Sequence, residues 1–207
     1  MKGKREEQSS TELKIFEAAR EVFQAKGLEG ARMQEIADKA KINKSMLHYY
    51  YRSKEKLFEK VYQLSIIRLI PQIASLLNED TPLEMKLRNF TVKYLELIRH
   101  NSDIPLFVLH EMNKNPGRMK NFMLNEIGKK IQPFLQQLRE ERKKGNTVDL
   151  PAEQMLANIM SLLVFPFIGR PVFQVILNLD DSEFEQFIDK RLSYLPDYIV
   201  RVTLNKT

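Results

Sequence analysis

The sequence predicts an all-α fold, and three observations support that prediction. Apolar residues recur at helical spacing along the chain, and no stretch shows a sustained alternation of apolar and polar residues. Only 7 of the 207 residues are glycine, which disfavours a β-rich fold with many tight turns. Prolines and short clusters of Asn, Asp and Ser divide the chain into about nine or ten helical segments. We therefore expect long helices joined by short connections.

Three helices are predicted in the first fifty residues. The first begins at a capping box, in which Ser9 and Glu12 each accept a backbone hydrogen bond from the other, and ends at Gly27. Two short amphipathic helices follow, at about residues 33–40 and 44–51. Together they would form a compact N-terminal domain.

Longer helices fill the rest of the chain. Ser53 is the expected N-cap of the next helix, and Pro71 is expected to kink or end it because proline lacks an amide donor. Pro133 is expected to bend a long helix, and Asp180-Asp181-Ser182 to cap the last one. The predicted helices are approximately 53–71, 82–100, 103–113, 116–144, 151–168 and 181–204.

The positive charge is concentrated in one segment. The chain carries a net charge of +6, and residues 31–60 hold eight Lys or Arg against four Asp or Glu, a balance of +4. This concentration favours an anionic partner, although a solvated basic helix face would have the same composition. The absence of cysteine excludes disulfides, a thiolate nucleophile and a cysteine-based zinc site.

The sequence contains no recognisable targeting or membrane-spanning segment. No apolar stretch follows the basic residues at the N-terminus, so no signal peptide is expected. The longest apolar run, Leu162–Ile168, includes Pro166 and is far shorter than the roughly 20 residues that span a bilayer. We expect a cytoplasmic protein without a membrane partner.

Residues 33–51 have the packing pattern of a helix-turn-helix. Small Ala37 allows the two short helices to cross closely, and Asn43 can cap the second one. In such a motif the second helix presents its N-terminal residues to the major groove. Short amphipathic helix pairs in other folds have a similar pattern, so the neighbouring basic segment adds weight. The apolar positions are Ile36, Ala37, Ala40, Ile42, Leu47 and Tyr51.

The stretch from Ile15 to Leu57, with the phenylalanine that follows, resembles the tetracycline-repressor family of bacterial regulators. It contains I-F-x-A-A-x-x-x-F-x-x-x-G, then M-x-x-I-A-x-x-A-x-I, then L-H-Y-Y-Y-x-S-K-x-x-L-F. The resemblance implies a three-helix DNA-binding domain at residues 1–54. It also implies a helical ligand-binding and dimerisation domain at residues 55–207.

The chain departs from the family pattern at three positions. Lys41 and Ser45 stand where the family usually has glycine, and His48 stands where it usually has tyrosine. A left-handed backbone at Lys41 would cost about 1 kcal/mol. These departures leave the operator sequence undetermined.

The resemblance implies two groups of DNA-contacting residues. Lys44 suits guanine O6 and N7, Gln34 suits adenine, and Met46 suits a thymine methyl group. The residues expected at base edges are Gln34, Lys44, Ser45 and Met46. The residues expected at the DNA backbone, which position the protein without sequence information, are Arg32, His48, Tyr49, Tyr50 and Lys54. Tyr51 is expected to pack within the domain.

The C-terminal part is rich in phenylalanine and methionine, which suit an adaptable apolar pocket. An ordinary helical core would explain any one of these residues equally well. The resemblance implies that a small apolar effector binds there and changes the spacing of the DNA-reading heads. The candidate pocket residues are Phe90, Tyr94, Phe107, His110, Glu111, Phe122, Met123, Phe134, Met160 and Phe165.

The resemblance also implies a homodimer formed by the last two helices. A twofold dimer places its recognition helices one or more DNA turns apart, so the expected operator is a near-palindrome in double-stranded DNA. Apolar residues at helical spacing are the candidates for the interface. They are Leu156, Ile159, Leu163, Phe184, Phe187, Ile188 and Leu192.

The expected function is therefore a ligand-responsive, sequence-specific DNA-binding transcriptional regulator, a repressor that a small apolar molecule releases from its operator. A DNA-binding regulator without a small-molecule ligand remains an alternative. An all-α enzyme using His110 and Glu111 is a further alternative, but the chain has no H-E-x-x-H, G-x-S-x-G or phosphate-loop motif. We expect no enzymatic activity, no metal and no cofactor.

Overall fold

The computed structural model describes the backbone of residues 2–114 and 116–205; the side chains of residues 2–9, 111, 114, 118, 119, 122 and 126 lie outside the description. Within this part of the chain every regular element is helical, which confirms the all-α prediction. The helices are α1 (Lys2–Gly30), α2 (Met33–Lys39), α3 (Lys44–Tyr50), α4 (Lys54–Asn78), α5 (Leu83–Arg99), α6 (Ile104–Lys114), α7 (Pro116–Met123), α8 (Gln132–Lys143), α9 (Ala152–Ile168), α10 (Arg170–Leu177) and α11 (Asp181–Thr203).

The chain divides into two compact units, Met1–Ile67 and Arg68–Thr207. The predicted domain boundary between residues 54 and 55 coincides with the start of α4 and remains a prediction. We call the first unit the head and the second the C-terminal unit, and each is described by itself.

The head is built on α1, which is longer than predicted. The helix begins at Lys2, so the predicted capping box at Ser9 is wrong and that residue lies inside the helix. Charged and polar residues with good helix propensity extend α1 in the N-terminal direction. Gly27 has φ 64° and ψ −176°, a non-helical conformation that interrupts α1 where its end was predicted. The buried head core includes Ile15, Phe16, Ala19, Val22, Phe23, Ile36, Leu47 and Leu57.

The helix α4 begins as predicted but passes through its proline. Ser53 Oγ accepts a hydrogen bond from the backbone N–H of Lys56 at 3.2 Å, which confirms the N-cap. Pro71 does not end the helix, because α4 continues to Asn78. Leu77 in this extension is buried in the core of the C-terminal unit, and packing of an apolar face outweighs the missing hydrogen bond.

The predicted long helix at residues 116–144 is two helices. A π-helical turn at Leu124–Gly128 and a short turn separate α7 from α8. Pro133 therefore lies in the first turn of α8, where no amide donor is needed, and does not bend a continuous helix.

The end of the chain has one predicted cap and one unpredicted helix. Asp180 and Glu183 form a capping box at the start of α11, each accepting the other's backbone N–H at 2.8 Å. The helix α10 was not predicted. It is short, it follows Gly169 directly, and it buries none of its residues, so its apolar pattern had no clear inward face.

The core of the C-terminal unit contains much of the predicted dimer stripe, which corrects that prediction. Ile159, Leu163, Phe184 and Ile188 are at most 1% exposed within the single chain. Phe187 and Leu192 are partly buried against the same core, as is Leu156. Helical periodicity identifies a buried face, but it does not say whether the covering surface belongs to the same chain or to a partner.

No single helix in the described part of the chain is long and apolar enough to span a membrane. The consecutive helices α9 and α10 meet the length and composition criteria only as a pair, which is bent by 71°.

Candidate functional site

The turn between α2 and α3 is a Schellman motif. The N–H of Lys41 donates to the carbonyl of Asp38 at 3.1 Å, and the N–H of Ile42 donates to the carbonyl of Ala37 at 3.0 Å. Lys41 has φ 55°, the left-handed conformation expected at this position. The chain therefore keeps this tight turn without the glycine that usually relieves its strain.

The start of α3 is fixed by a cap and by a buried residue. Asn43 Oδ1 accepts the backbone N–H of Met46 at 2.6 Å, which confirms the predicted N-cap. Leu47 is fully buried, as are Ile36 and Ala37 on α2. These contacts set the rotation of α3 about its axis.

That rotation determines which α3 residues face solvent. Successive helical residues turn by about 100°, so Ser45 and Tyr49 point away from the buried Leu47, with Met46 and His48 beside them. Tyr49 is 81% exposed and Met46 is 41% exposed. The exposed face of α3 is therefore a polar and aromatic surface, and the buried Leu47 on the opposite side holds the helix in place.

Two cations next to this face are unneutralised. The side chains of Lys44 and Arg32 are exposed, and neither side chain forms an ion pair or a hydrogen bond with another described residue. Their charges are therefore available to an anionic ligand.

Other charges around α2 are paired within the head. Lys39 Nζ lies 2.5 Å from Glu21 Oε2, and Lys26 Nζ lies 2.7 Å from Glu35 Oε1. Each pair is substantially exposed and contributes little to stability. Pairing does, however, neutralise two carboxylates that would otherwise repel an anion.

Two predicted DNA-contacting residues have partners of their own. Gln34 Nε2 donates to Asp38 Oδ1 at 2.8 Å, and Lys54 Nζ donates to the carbonyl of Glu29 at 3.2 Å. Both hydrogen bonds are exposed, so exchanging them for contacts to another molecule costs little.

The three consecutive tyrosines after His48 differ in environment. The rings of Tyr49 and Tyr50 meet edge to face, with centroids 5.7 Å apart, and Tyr50 lies 6.5 Å from Tyr51. Tyr51 is half-buried; burial, and then the charge of Glu12, raise the pKa of its hydroxyl. Tyr49 is exposed, whereas Tyr50 and Tyr51 are both half-buried.

The C-terminal unit contains an apolar cavity of about 240 Å³. Its wall is formed by α4, α5, α9 and the segment between α7 and α8. Two of its lining residues carry polar side-chain groups, Tyr94 and Lys130. The full lining is Ile70, Ile73, Ala74, Leu77, Phe90, Tyr94, Ile127, Lys130, Ile131, Leu156 and Met160.

Three predicted pocket residues, Phe90, Tyr94 and Met160, lie together in this wall. The side chains of Glu111 and Phe122 lie outside the described residues. The remaining candidates are placed elsewhere: Phe107 and Phe134 are buried in the fold, Met123 is half-buried, and His110 and Phe165 are exposed. His110 and Phe165 therefore do not face an enclosed space.

Most of the wall was not predicted, although part of it carried a sequence signal. Ile70, Ile73, Ala74 and Leu77 recur at helical spacing on α4, a stripe that continues past Pro71. Because Pro71 was expected to kink or end the helix, this stripe was not followed.

Tyr94 is the buried polar group of the cavity. It is 6% exposed, and burial raises the pKa of its hydroxyl, so the phenol is a neutral donor. Its ring packs against Phe90, with the ring centroids 5.3 Å apart.

A capped second helix with an exposed face, set behind a Schellman turn, defines the class of helix-turn-helix DNA-binding proteins. Residues 15–61 match the family described as "Bacterial regulatory proteins, tetR family". The matched segment includes α2 and α3, so the chain carries a DNA-binding head of this family. The matched proteins are transcriptional regulators, in agreement with the expectation that this chain is not an enzyme.

Three comparisons indicate how far the likeness extends. The protein YttP of Bacillus subtilis, described as a probable HTH-type transcriptional regulator, is 23% identical over 84% of this chain and 85% of its own. The HTH-type transcriptional activator FasR of Mycolicibacterium smegmatis is 33% identical over 41% of this chain and 39% of its own. A TetR/AcrR-family regulator from Thermobifida fusca shares the fold, with a TM-score of 0.62 and 15% identity over 88% of this chain and 94% of its own.

Proposed function

We propose that this protein is a homodimeric repressor that binds a near-palindromic operator and is released from it by a small molecule bound in the C-terminal cavity. The observation that carries the proposal is the exposed face of α3, a short helix held in place by the fully buried Leu47 and flanked by unpaired cations. The apolar cavity provides a place for an effector.

Base recognition is assigned to the first turn of α3 and to one residue of α2. Lys44 donates to guanine O6 and N7, Met46 contacts a thymine methyl group, and Ser45 hydrogen-bonds either type of base edge. Gln34 exchanges its hydrogen bond to Asp38 for an adenine edge.

The DNA backbone is assigned to a second set of side chains around this face. Arg32 supplies an unpaired cation, and Lys54 an ammonium that keeps Glu29 as one partner while donating to a phosphate oxygen. The hydroxyl and imidazole groups of His48, Tyr49 and Tyr50 add hydrogen bonds that position the head without selecting a sequence.

The dimer is assigned to the exposed apolar surface of the last three helices. Val175 and Ile176 on α10 are 81% and 73% exposed, and a helix with no buried residue and such a surface favours a protein partner. The exposed apolar residues in this region are Phe165, Val172, Val175, Ile176, Leu177, Tyr194, Tyr198 and Val202.

Sedimentation equilibrium tests this interface. A variant with both Val175→Glu and Ile176→Glu should weaken the dimer by at least tenfold, because two charges would be desolvated on association. Met85→Glu, at an exposed apolar position of α5, is the matched control and should leave dimerisation unchanged. Equal dimerisation of the double variant and the wild type would exclude α10 from the interface.

Repression requires only that the bound dimer cover a promoter. Occupancy alone blocks polymerase, so no additional activating surface is needed. Because the relative FasR is named as an activator, a reporter gene with the selected operator overlapping its promoter provides the test. Lower expression with the protein present supports repression, and higher expression contradicts it.

A regulator without a small-molecule effector is the second candidate. The observation that favours it is the cavity volume of about 240 Å³, which lies below the roughly 300–1,000 Å³ of most ligand pockets. Partner-protein control would then replace ligand control.

Selection of binding sites from random duplex DNA tests the function as a whole. The purified protein should enrich an inverted repeat, and affinity for the winning sequence should fall steeply with salt. A variant lacking both Lys44 and Arg32 is the control and should enrich nothing. The selection is repeated after extraction of apolar molecules, and a failure to enrich any sequence in both preparations would contradict the proposal.

A further inference from the structure

We infer that Lys14 and Lys41 form a second phosphate-binding site on the head, which holds the DNA backbone on the side of the major groove opposite to Arg32 and Lys54. The ligand is the phosphodiester backbone of duplex DNA. The inference rests on the proposed function, because it requires the exposed face of α3 to lie in the major groove. It adds two residues to the DNA-contacting set, and neither of them reads a base.

The two lysines border one shallow groove of the head, between α1 and the turn that joins α2 to α3. Both side chains are exposed, and neither side chain forms an ion pair or a hydrogen bond with another described residue. The ammonium groups of Lys14 and Lys41 are therefore available to an anionic ligand.

The acidic residues of this groove are already neutralised. Glu21 Oε2 lies 2.5 Å from Lys39 Nζ, and Glu17 Oε2 lies 3.3 Å from Arg20 Nη2. Because these carboxylates have cationic partners, they do not cancel the charges of the two unpaired lysines. The groove therefore has a net positive charge, which favours a polyanion as its ligand.

The backbone of Lys41 indicates that its side chain has a function outside the chain. Its φ of 55° is a left-handed conformation that glycine adopts without strain and that a residue with a Cβ atom adopts at a cost. No ion pair or hydrogen bond of this side chain within the described residues offsets that cost. Strained backbone conformations of this kind cluster at binding sites, where the side chain serves a ligand.

The length of α2 determines which DNA backbone the site can reach. Arg32 precedes the first residue of α2, and Lys54 donates to the carbonyl of Glu29 close by, whereas Lys41 follows the last turn of the helix. Eight helical steps of about 1.5 Å separate the two ends of α2 by roughly 12 Å, close to the width of the major groove. Cations at the two ends therefore match the phosphates on the two sides of one groove.

The salt dependence of DNA binding tests the site in the full-length protein. Lys41→Gly and Lys14→Ala should each weaken binding to operator and random duplexes alike, by about tenfold at low salt, and lower the salt slope by about one. Lys143→Ala, which removes an exposed lysine of the C-terminal unit, is the matched control and should change neither property. Unchanged slopes in both head variants would overturn the inference and leave the groove to an acidic protein partner.

The stability of the head separates a binding role of Lys41 from a structural one. Lys41→Gly should weaken DNA binding while raising the denaturation midpoint of the head, because backbone strain is relieved as the contact is lost. Lys41→Arg keeps both the charge and the strain, so it should retain the affinity of the wild type. A loss of both stability and DNA affinity in Lys41→Gly would mean that the residue is structural and would overturn the inference.

Operators with a single neutral methylphosphonate in place of one phosphate locate the contact. A phosphate that Lys41 binds should matter to the wild type but not to Lys41→Gly, since the variant has already lost that interaction. The same comparison with Lys54→Ala should identify a phosphate on the other side of the major groove. If no phosphate is coupled to Lys41, or if both residues couple to the same side, the inference is wrong.

Failure of the inference and failure of the proposed function have different signatures. A wild-type protein that selects no operator contradicts the proposed function, but its salt slope on random duplex still tests Lys14 and Lys41, because phosphate contacts need no particular sequence. Selection of an operator, together with wild-type slopes in both head variants, supports the function and contradicts the second phosphate-binding site.

Discussion

The head and the C-terminal unit are built from the same kind of amphipathic helices, but their candidate sites are arranged in opposite ways. In the head, the chemistry lies on the exposed side of α3, a seven-residue helix anchored by one buried leucine. In the C-terminal unit, the candidate chemistry lies on the wall of a partly open apolar cavity, assembled from four segments distant in sequence. The exposed face of α3 depends on a few neighbouring residues, whereas the cavity wall depends on how whole helices pack.

The strongest test of this contrast removes the anchor of α3. Leu47→Ala should destabilise the head by about 2–5 kcal/mol, because it leaves a cavity where a fully buried side chain packed. Operator binding should fall sharply, while the unfolding of the C-terminal unit should be little changed. Denaturant titration, together with an operator-binding assay, gives the measurement.

Leu13→Ala is the matched control for that experiment. Leu13 is a leucine of the head that is 52% exposed, so its truncation should change the free energy of unfolding by no more than about 0.5 kcal/mol. Equal destabilisation by the two substitutions would mean that α3 is not anchored by Leu47.

The sequence was most informative where structure is local. The helix-turn-helix was predicted at 33–51, and the structure gives α2 and α3 within it, with the expected cap at Asn43. A cap, a turn and a buried leucine at fixed spacing are determined by a few neighbouring residues. The exposed face of α3 follows from those positions and the helical repeat.

Tertiary packing limited prediction in the C-terminal unit. Pro71 does not end α4, α10 was missed, and the stripe predicted to form the dimer interface is largely buried within the chain. The end of α4, the existence of α10 and the role of the predicted dimer stripe each depend on which surface covers an apolar helix face. Periodicity shows that such a face exists, but it does not show what covers it. Three cavity residues were identified because they are large or aromatic, and the aliphatic α4 stripe was missed.

A second prediction concerns the specificity of the exposed face. Lys44→Ala should reduce discrimination between operator and random DNA by about 1–3 kcal/mol, because a base-edge contact is lost. Lys44→Arg should retain most of it, since arginine also donates to guanine O6 and N7. Competition binding with operator and scrambled duplexes measures the difference. Unchanged discrimination in Lys44→Ala would remove this residue from the base-reading set.

A third prediction separates positioning from reading. Lys54→Ala should weaken binding to operator and random DNA alike and lower the salt slope by about one, as expected for one lost phosphate contact. Lys143→Ala, which removes the same charge from α8 in the C-terminal unit, should leave the slope unchanged. A selective loss of operator affinity in Lys54→Ala would instead indicate base contact.

The smallest predicted effect concerns strain within the head. Lys41 holds a left-handed backbone with φ 55° in the Schellman turn, and that conformation costs a non-glycine residue about 1–2 kcal/mol. Glycine removes the strain but adds conformational entropy to the unfolded chain, which offsets about 0.4–1 kcal/mol. Lys41→Gly should therefore stabilise the head by about 0.5 kcal/mol.

Lys41→Ala distinguishes relief of strain from removal of charge. Both variants lose the same cation, but alanine keeps a Cβ atom in the left-handed region, so it should not stabilise the head. Chemical denaturation at two salt concentrations measures both effects. If alanine stabilises the head as much as glycine does, and salt diminishes the gain, then repulsion among the basic side chains, rather than backbone strain, is what Lys41 contributes to the head.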